Sequence, residues 1–511
     1  MILSHSENLI RMPDFTGAPN LEKLILEGCT RLYEIHPSLL LHNKLIILNM
    51  KDCTSLITLP GKILMKSLEK LVLSGCSKLK KFPDIVGSME CLLKLLLDGT
   101  AIEELPLSIK LLSKLVLLVL NNCKNLKSLP TTISGLKCLS TLDVSGDLKF
   151  REFPEIVEHM EHLSELHLEG TAIRGLPLSI ELLSGLVLLN LKNCRSLEIL
   201  PVTVSNLKCL RSLKLSGCSK LKKFPEIVRS MKDLSELFLD GTSIKEVPSS
   251  IELLTKLELL NLSDCKNLVR LPSSIIALKS LKTLNLSGCF KLENVPETLG
   301  QIESLEELDI SGTAVPHSTS WYSYIPINLM RKSVALKLPS LSGLCSLRKL
   351  NLTDCNLMEG ALPSDIGNLC SLKELYLSKN SFVSLPTSIT HLSKLLNIEL
   401  EDCKRLQSLP QLPPNIRQVR VNGCASLVTL LDALKLCKSD STMIACLDSL
   451  KLLGNKSLAF SMLREYLEVS FLLCVSQLCQ NYICQNIKQW FGLHYYYYYF
   501  GCRQCQIQDN I

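Results

Sequence analysis

The chain has 511 residues, of which 46% are hydrophobic and only 5% are aromatic, and its formal net charge is +7. A length of this order usually indicates several domains. The mild charge gives no sign of a nucleic-acid partner, because basic clusters such as Lys78, Lys80 and Lys81 have no aromatic residues interleaved among them. We therefore expect no nucleic-acid binding.

Segments of the form L-x-x-L-x-L recur along most of the chain at steps of 23 or 24, resume after a longer gap, and end in a looser copy at Ile416. Counting them gives about seventeen units. Repeats of about 20 to 29 residues with this pattern are leucine-rich repeats. The segments begin at Leu21, Leu45, Leu68, Leu92, Leu115, Leu139, Leu163, Leu186, Leu210, Leu234, Leu257, Leu281, Leu305, Leu347, Leu372 and Leu395.

Each repeat predicts the same local structures. The alternation x-L-x-L indicates a short strand with inward leucines, and successive strands stack into a parallel sheet. A Cys or Thr, as at Cys76 and Thr100, then occupies a turn whose backbone it can bond. The return leg, such as LPLSIKLLSKL at 105 to 115, suits a short helical turn started by proline. The predicted fold is an α/β leucine-rich repeat solenoid, a horseshoe or superhelix with a concave parallel β-sheet and short helical turns on its convex side.

A longer period spans three successive repeats. Residues 71 to 83, LVLSGCSKLKKFP, return almost unchanged at 213 to 225, with diverged copies at 142 to 154 and 284 to 296. Two units with Cys at the turn are followed by a shorter unit with Thr. This uniformity indicates that the array grew by duplication of a three-repeat block.

The 23 cysteines would suggest disulfides in a secreted chain. Most of those in the repeats stand at the turn, where Thr replaces Cys, and Thr cannot form a disulfide. The first residues, MILSHSENLIRMPDF, lack the basic segment and long apolar run of a signal peptide. Buried reduced thiols in a reducing compartment, the cytoplasm or the nucleus, are the better interpretation.

The sequence contains no motif of a known catalytic or cofactor site. There is no G-x-x-x-x-G-K-[ST], no G-x-S-x-G and no H-E-x-x-H. His159 and His162 have the spacing of one helical face, but no acidic or cysteine partner completes a metal site. The single C-x-x-C, Cys502 to Cys505, lacks a second pair. We therefore expect no enzyme, no metal and no cofactor.

The middle x of each L-x-L faces the open, concave side of the sheet, and these positions are the candidate binding surface for a protein ligand. Three of them predict an exposed apolar stripe with Leu93, Val116 and Leu117, unless long neighbours such as Lys94 cover it. Others are aromatic or charged, as is typical of binding hot spots. The candidates are Val72, Leu96, Val119, His167, Asn190, Lys214, Phe238, Asn261, Asn285, Asp309 and Tyr376.

One step between repeats, from Leu305 to Leu347, is nearly twice as long as the others. The insert, at about 314 to 340, concentrates Trp321, Tyr322 and Tyr324 in a chain that is poor in aromatics. Long loops on solenoids often carry function, whereas a decayed repeat is the alternative explanation. These three aromatics form a second candidate site.

The repeats are expected to form one elongated domain from residue 1 to about 430. Residues 469 to 511 include five consecutive tyrosines, 495 to 499, and show no periodicity, which predicts an irregular or disordered tail. Gln477 and Gln480 interrupt its apolar run, so no membrane segment is expected.

Three phrases closely resemble plant disease-resistance proteins of the TIR-NB-LRR class. They are LSHSENLIRMPDFTGAPNLEKLILEGCTRLYEIHPSL, DGTAIEELPLSI and LPPNIRQVRVNGCASLVTL, and the resemblance covers roughly residues 2 to 468. It implies that 431 to 468 is a helical linker. In that family a TIR domain and a nucleotide-binding ATPase precede the repeats. The repeats sense a pathogen effector and restrain the ATPase, whose release assembles a signalling oligomer.

The chain departs from that family at both ends. No P-loop precedes the repeats, and ILSHS has lost the leading L-x-x-L of a first repeat, so we expect that a further segment belonged in front. The family's ATP/ADP binding and NAD cleavage therefore cannot be assigned here. The β-sandwich expected after the linker does not follow. We interpret the chain as truncated at both ends.

The leading hypothesis is a protein-recognition module of an intracellular plant immune receptor. Its partners would be a pathogen effector or a host protein, and a nucleotide-binding domain in cis or in trans. One alternative is an extracellular receptor-like repeat protein, although only MEGALPSDIGNLCSL at 358 to 372 comes near the style of such repeats. Another is a repeat scaffold without an immune role.

Overall fold

The chain divides into two compact units, Met1–Asn261 and Leu262–Ile511. Every L-x-x-L-x-L segment of the described residues forms a three-residue strand at its predicted place, seventeen in all. This confirms the leucine-rich repeat fold. The computed structural model describes residues 1 to 293, 295 to 313, 338 to 428, 430, 433, 443 to 446 and 472 to 473.

In each repeat strand the central residue is buried and the residues before and after it are more exposed. In Lys23–Ile25, for example, Leu24 has no exposed surface. This follows from the alternation of side chains across a pleated backbone. In the first unit the strands are β1 (Lys23–Ile25), β2 (Ile47–Asn49), β3 (Lys62–Ile63), β4 (Lys70–Val72), β5 (Asp84–Ile85), β6 (Lys94–Leu96), β7 (Leu117–Val119), β8 (Thr141–Asp143), β9 (Glu165–His167), β10 (Leu188–Asn190), β11 (Ser212–Lys214), β12 (Glu236–Phe238) and β13 (Leu259–Asn261).

The second unit repeats this arrangement. Two of its described strands lie beyond the predicted repeats, and the nearer one pairs with the last repeat strand. The strands are β14 (Thr283–Asn285), β15 (Glu307–Asp309), β16 (Lys349–Asn351), β17 (Glu374–Tyr376), β18 (Asn397–Glu399), β19 (Gln418–Arg420), β20 (Met443–Ala445) and β21 (Leu472–Leu473).

All pairings within each unit are parallel and join equivalent residues of successive repeats. Leu71 pairs with Leu95, for example, and Leu350 with Leu375. The main sheet of the first unit runs β1-β2-β4-β6 and then in chain order to β13, while β3 and β5 form a separate two-stranded sheet. The sheet of the second unit runs from β14 to β21 in chain order.

The predicted helical turns are five-residue 3₁₀ helices. In all but the first, the residue before the helix is an extended proline, such as Pro106 (φ −69°, ψ 152°). Proline is tolerated there because the first N–H groups of a helix have no partner inside it. The helices are Pro37–Leu41, Leu107–Leu111, Thr131–Gly135, Leu178–Leu182, Val202–Asn206 and Ser249–Leu253 in the first unit, and Ser273–Ala277, Glu297–Gln301, Ser364–Asn368 and Thr387–His391 in the second.

The turn cysteines form a ladder through the core of each unit. Turn thiols donate to backbone carbonyls of the preceding repeat, as Cys76 does to Met50 O and Cys218 to Leu191 O, both at 3.1 Å. Burial raises the pKa of Cys123 to about 11 and of Cys218 to about 12, so these groups remain protonated donors at neutral pH. Each rung therefore ties one repeat to the one before it.

The threonine turns differ in their bonding. Thr171 and Thr242 donate to carbonyls of their own repeat, Leu168 O at 2.8 Å and Leu239 O at 2.7 Å. The Thr171 hydroxyl also lies 3.4 Å from the thiol of Cys194 in the next repeat. Thr171 and Thr242 therefore close their own turns, whereas the cysteines bond to the preceding repeat. The hydroxyls of Thr100 and Thr313 contact the thiols of Cys123 and Cys355 in the next repeat.

Two further residues occupy the same turn position. Asn380 donates to Leu352 O and Leu377 O, both at 2.8 Å, and accepts from the backbone of the preceding repeat. Asp147 is fully buried, and neither of its carboxyl oxygens has a hydrogen-bond partner of ordinary geometry among the described residues. Burial raises its pKa from the ordinary 3.8 to about 8, with a smaller opposing effect of the Cys123 backbone amide. An ionised carboxylate can only accept, so it cannot form the thiol's bond to a carbonyl.

Several predictions from the sequence concern residues outside the described part. The insert residues Trp321, Tyr322 and Tyr324 lie outside it, as do most of the predicted linker, 431 to 468, and of the predicted tail, 469 to 511. Where a helical linker is predicted, the described stretch Met443–Ala445 is a strand, because it pairs with Gln418–Arg420. The extent of the repeat domain stays a prediction. No helix of the described residues is long and apolar enough to cross a membrane.

Asp147→Cys should stabilise the protein, because it restores the donor present at Cys76, Cys218 and Cys289 and removes a buried carboxyl. An unsatisfied buried polar group costs about 1–3 kcal/mol. The folded-state pKa is raised, so the folded protein holds a proton that the unfolded chain releases between pH 3.8 and about 8. Stability should therefore fall across that window, by at most about 1.4 kcal/mol per pH unit.

Urea unfolding at pH 5 and pH 8 measures this effect. The Asp147→Cys protein should lose less stability than the parent between the two pH values and should be the more stable of the two at pH 8. Asp84→Asn, at an exposed position, is the matched control and should keep the parent's pH dependence. An unchanged pH dependence in Asp147→Cys would contradict the assignment.

Candidate functional site on the open face of the sheet

The first and third residues of every repeat strand point away from the leucine core. Together their side chains form a surface that we call the open face of each unit. All eleven predicted strand candidates are third residues and lie on it. The first residues lie on it as well, since the same alternation places them there. Of these, Leu117 and Lys94 are predicted neighbours of the apolar stripe, whereas others, such as Glu236, were not predicted.

Strand pairing brings most candidates into columns. In the first unit, Val72, Leu96 and Val119 are register partners on adjacent strands about 4.8 Å apart. A second group occupies five adjacent strands, β9 to β13. Its members in register order are His167, Asn190, Lys214, Phe238 and Asn261.

The second unit holds the remaining strand candidates. Asn285 and Asp309 are register partners, and Tyr376 lies beyond them with Asn351 between. The Val72 group therefore belongs to the first unit, and Tyr376 belongs to the second.

The predicted apolar stripe is only partly exposed. Val72 has 6% of its surface exposed, and Leu96 and Val119 are half-buried. Leu93 and Val116, one residue before their strands, are 41% and 37% exposed. The accessible apolar surface therefore lies at the strand starts rather than in the predicted column.

Charged and aromatic side chains pair on adjacent strands. The Lys214 ammonium lies 5.9 Å from the centroid of the Phe238 ring, within the range of a cation–π interaction. Nearby, His167 Nε2 lies 3.3 Å from Glu165 Oε2. Lys214, Phe238 and His167 are each half-buried on the open face.

Tyr376 has a similar environment in the second unit. Lys349 lies 5.5 Å from its ring centroid, and its hydroxyl donates to Glu374 Oε2 at 2.9 Å. Burial, reinforced by the bond to Glu374, raises the pKa of Tyr376 to about 12. On the next strands, Arg420 Nη1 lies 3.1 Å from Glu399 Oε1. Burial raises the pKa of Glu399, an effect that Arg420 opposes.

Several asparagine and aspartate candidates are engaged in holding the turns. Asn190 Oδ1 accepts from Lys192 N at 3.1 Å and its amide donates to Glu169 at 3.2 Å. Asp309 and Asn285 likewise accept from the backbone two residues further on. Such local bonds stabilise the exit from a strand. These side chains are therefore fixed in place.

In the part of the chain that the structure describes, no three or more His, Cys, Asp and Glu side chains are grouped as a metal ion would need.

Comparisons with known proteins agree with this architecture. A family model described as disease resistance protein RPS4B-like, leucine-rich repeats, matches residues 64–152, 135–223 and 206–310. A general leucine-rich repeat model matches 346–369 and 371–392. A solved leucine-rich repeat protein of Leptospira interrogans is 27% identical with a TM-score of 0.54, covering 74% of this chain and 89% of that one.

Among curated relatives, TMV resistance protein N of Nicotiana glutinosa is 36% identical over 421 residues, 82% of this chain and 25% of the relative. A probable disease resistance protein of Arabidopsis thaliana is 38% identical over 383 residues, 75% of this chain and 20% of the relative. The chain thus spans only a fifth to a quarter of the length of these relatives.

Asn351→Ala should destabilise the second unit by about 1 kcal/mol, because two hydrogen bonds are lost. Asn351 donates to Asp309 at 3.0 Å and accepts from Thr353 N at 3.1 Å. Asn397→Ala is the matched control, since Asn397 lies on the same open face and its side chain makes no such bonds to described residues. Chemical denaturation compares the two variants, and equal stabilities would show that Asn351 does not hold its turn.

Proposed function

Since the chain belongs to the leucine-rich repeat family of plant disease resistance proteins of the TIR-NB-LRR class, we propose that its open face is a protein-recognition surface of an immune receptor. The observation that carries this proposal is the column from His167 to Asn261. There an aromatic ring and a lysine stack on adjacent strands amid fixed polar side chains. Aromatic and charged anchors held rigidly in a half-buried surface are typical of binding hot spots.

The ligand we propose is a protein, either a pathogen effector or a host protein. The open face offers anchors on successive strands about 4.8 Å apart, a spacing that suits an extended macromolecular contact better than a small molecule. Leu93 and Val116 add exposed apolar area in the same unit.

We further propose that a nucleotide-binding domain, in cis or in trans, is a second partner, and that the repeats act in the cytoplasm or the nucleus. The family relationship supports the first proposal. The ladder of buried thiols supports the location in the cytoplasm or the nucleus, because cysteines that act as hydrogen-bond donors must stay reduced. The matching families are repeat families, and we propose no catalytic role.

Phe238→Ala should weaken binding of the protein ligand by at least about tenfold, because truncating a hot-spot aromatic costs roughly 2 kcal/mol. Lys214→Ala should weaken it less, because lysine is depleted and aromatic residues are enriched at the centres of protein interfaces. Partners would be captured from infected and uninfected plant extracts on the immobilised chain, and the dissociation constant of each would be measured by interferometry.

Leu178→Ala is the matched apolar control. Leu178 is 65% exposed but belongs to the 3₁₀ helix Leu178–Leu182 rather than to the open face. A partner that responds to Leu178→Ala and not to Phe238→Ala would contradict recognition by the open face. Partners captured equally from both extracts and unrelated to immune receptors would favour the scaffold alternative.

A further inference from the structure

A groove of about 710 Å³ lies in the first unit, and its lining includes none of the open-face candidates. Four of its lining residues are cationic and one is acidic. The rest are small or polar, and none is aromatic. The lining consists of Ser205, Asn206, Lys208, Arg229, Ser230, Lys232, Asp233, Thr255 and Lys256.

Most of the positive charge in this groove is unbalanced. Lys256 Nζ pairs with Asp233 Oδ1 at 3.2 Å. Lys208, Arg229 and Lys232 are exposed and have no ion pair with any described residue. Glu181 and Glu226 of the surrounding repeats accept hydrogen bonds from neutral donors, Asn206 at 2.5 Å and Ser250 at 2.6 Å, and form no ion pair with these three residues. Three like charges thus line the groove without a paired counter-charge among the described residues.

The duplicated blocks provide an internal comparison for these positions. In the preceding copy of the block, the equivalents of Lys208 and Arg229 are Lys137 and Glu158, and these two side chains form an ion pair. The equivalent of Lys232 there is Glu161. A lysine side chain at the position of Lys208 can therefore reach the side chain at the position of Arg229. That position is acidic in the preceding copy, as Glu158, and basic in the groove, as Arg229.

The other two copies are not strongly basic either. In the first copy of the block, Gly87 and Glu90 stand in place of Arg229 and Lys232, and in the last copy, Gly300 and Glu303 do. The sequence nearby is otherwise nearly the same in the first copy and in the copy that forms the groove, since LVLSGCSKLKKFP recurs as LKLSGCSKLKKFP. The basic groove is thus specific to one block and does not follow from the overall charge of the chain.

We propose that this groove binds a compact ligand with clustered phosphate groups. In the preceding copy Lys137 attracts Glu158, whereas Lys208 and Arg229 at the equivalent positions repel each other. A bound polyanion would attract both cations and so offset their repulsion. Arginine and lysine together suit phosphate, the first through its bidentate fork and the second as a point charge. The Lys208 ammonium, the Arg229 guanidinium and the Lys232 ammonium would contact the phosphate oxygens.

The groove suits a compact ligand better than a polynucleotide. Proteins that bind single strands stack bases on aromatic side chains, and the lining has none. A duplex would need a basic stripe along several successive repeats. Lys208 and Lys232 occupy equivalent positions in two successive repeats, but the repeats on either side have Ser184 and Thr255 at that position. The clustered phosphates can belong to a free oligophosphate or to a multiply phosphorylated peptide segment.

Calorimetric titration of the full chain with inorganic triphosphate tests the proposal. Arg229→Glu/Lys232→Glu installs the residues of the preceding block and should raise the dissociation constant at least tenfold. Lys222→Glu/Lys223→Glu is the matched control. It makes the same change of net charge in the same repeat outside the groove, and should change the constant by no more than threefold. Phe238→Ala should leave triphosphate binding unchanged, which keeps this proposal separate from recognition by the open face.

Each outcome decides the question. No binding at millimolar triphosphate, or an equal loss in both double variants, would overturn the proposal, provided that thermal melts show both variants folded. Tighter binding of a DNA duplex with the same dependence on Arg229 and Lys232 would also overturn it. Competition by a peptide with two adjacent phosphoserines, but not by its unphosphorylated form, would identify a protein segment as the phosphate source. Retained triphosphate binding without such competition would identify a free oligophosphate.

Discussion

The in-register stacking of one buried leucine on the next is the constraint on which the rest of the structure depends. Because Leu71 pairs with Leu95, every other residue of those two repeats is also placed beside its equivalent. A repeat cannot bury its apolar face alone, so stability comes from the contact between neighbours. The nearly constant length of the repeats follows from this requirement, since each unit must return to the same register.

The residue at the Cys or Thr turn position shows how strongly this stacking restricts which side chains can fit there. A group at this position lies in the core and faces a carbonyl that needs a donor, which Cys218 and Asn380 supply. Asp147 has the right size but the wrong chemistry when ionised, and burial moves its pKa to about 8. Cys, Thr, Asn and Asp thus occupy the same position of the repeat and differ in the groups with which they form hydrogen bonds.

Duplication separates a constant core from surfaces that can change. Between the blocks, the ladder keeps Cys76 and Cys218 in equivalent bonds. The groove positions, in contrast, change from Glu158 to Arg229 without disturbing a strand. The core, the open face and the groove are formed by different positions of each repeat. Recognition by the open face and anion binding in the groove can therefore vary independently.

The strand positions, the parallel order, the leucine core and the proline-started turns were all readable from periodicity, because each is set within a repeat or between neighbours. The interpretation of individual side chains was not. Val72 looked exposed from its alternation, but its neighbours in space leave it 6% exposed. Asn190 looked free to bind, but Glu169 of the preceding repeat and its own turn engage it. The convergence of Lys208, Arg229 and Lys232 joins residues from different repeats. The spacing of the leucines along the chain determines the length and register of the repeats. The burial, hydrogen-bond partners and local charge of each side chain depend instead on contacts between repeats.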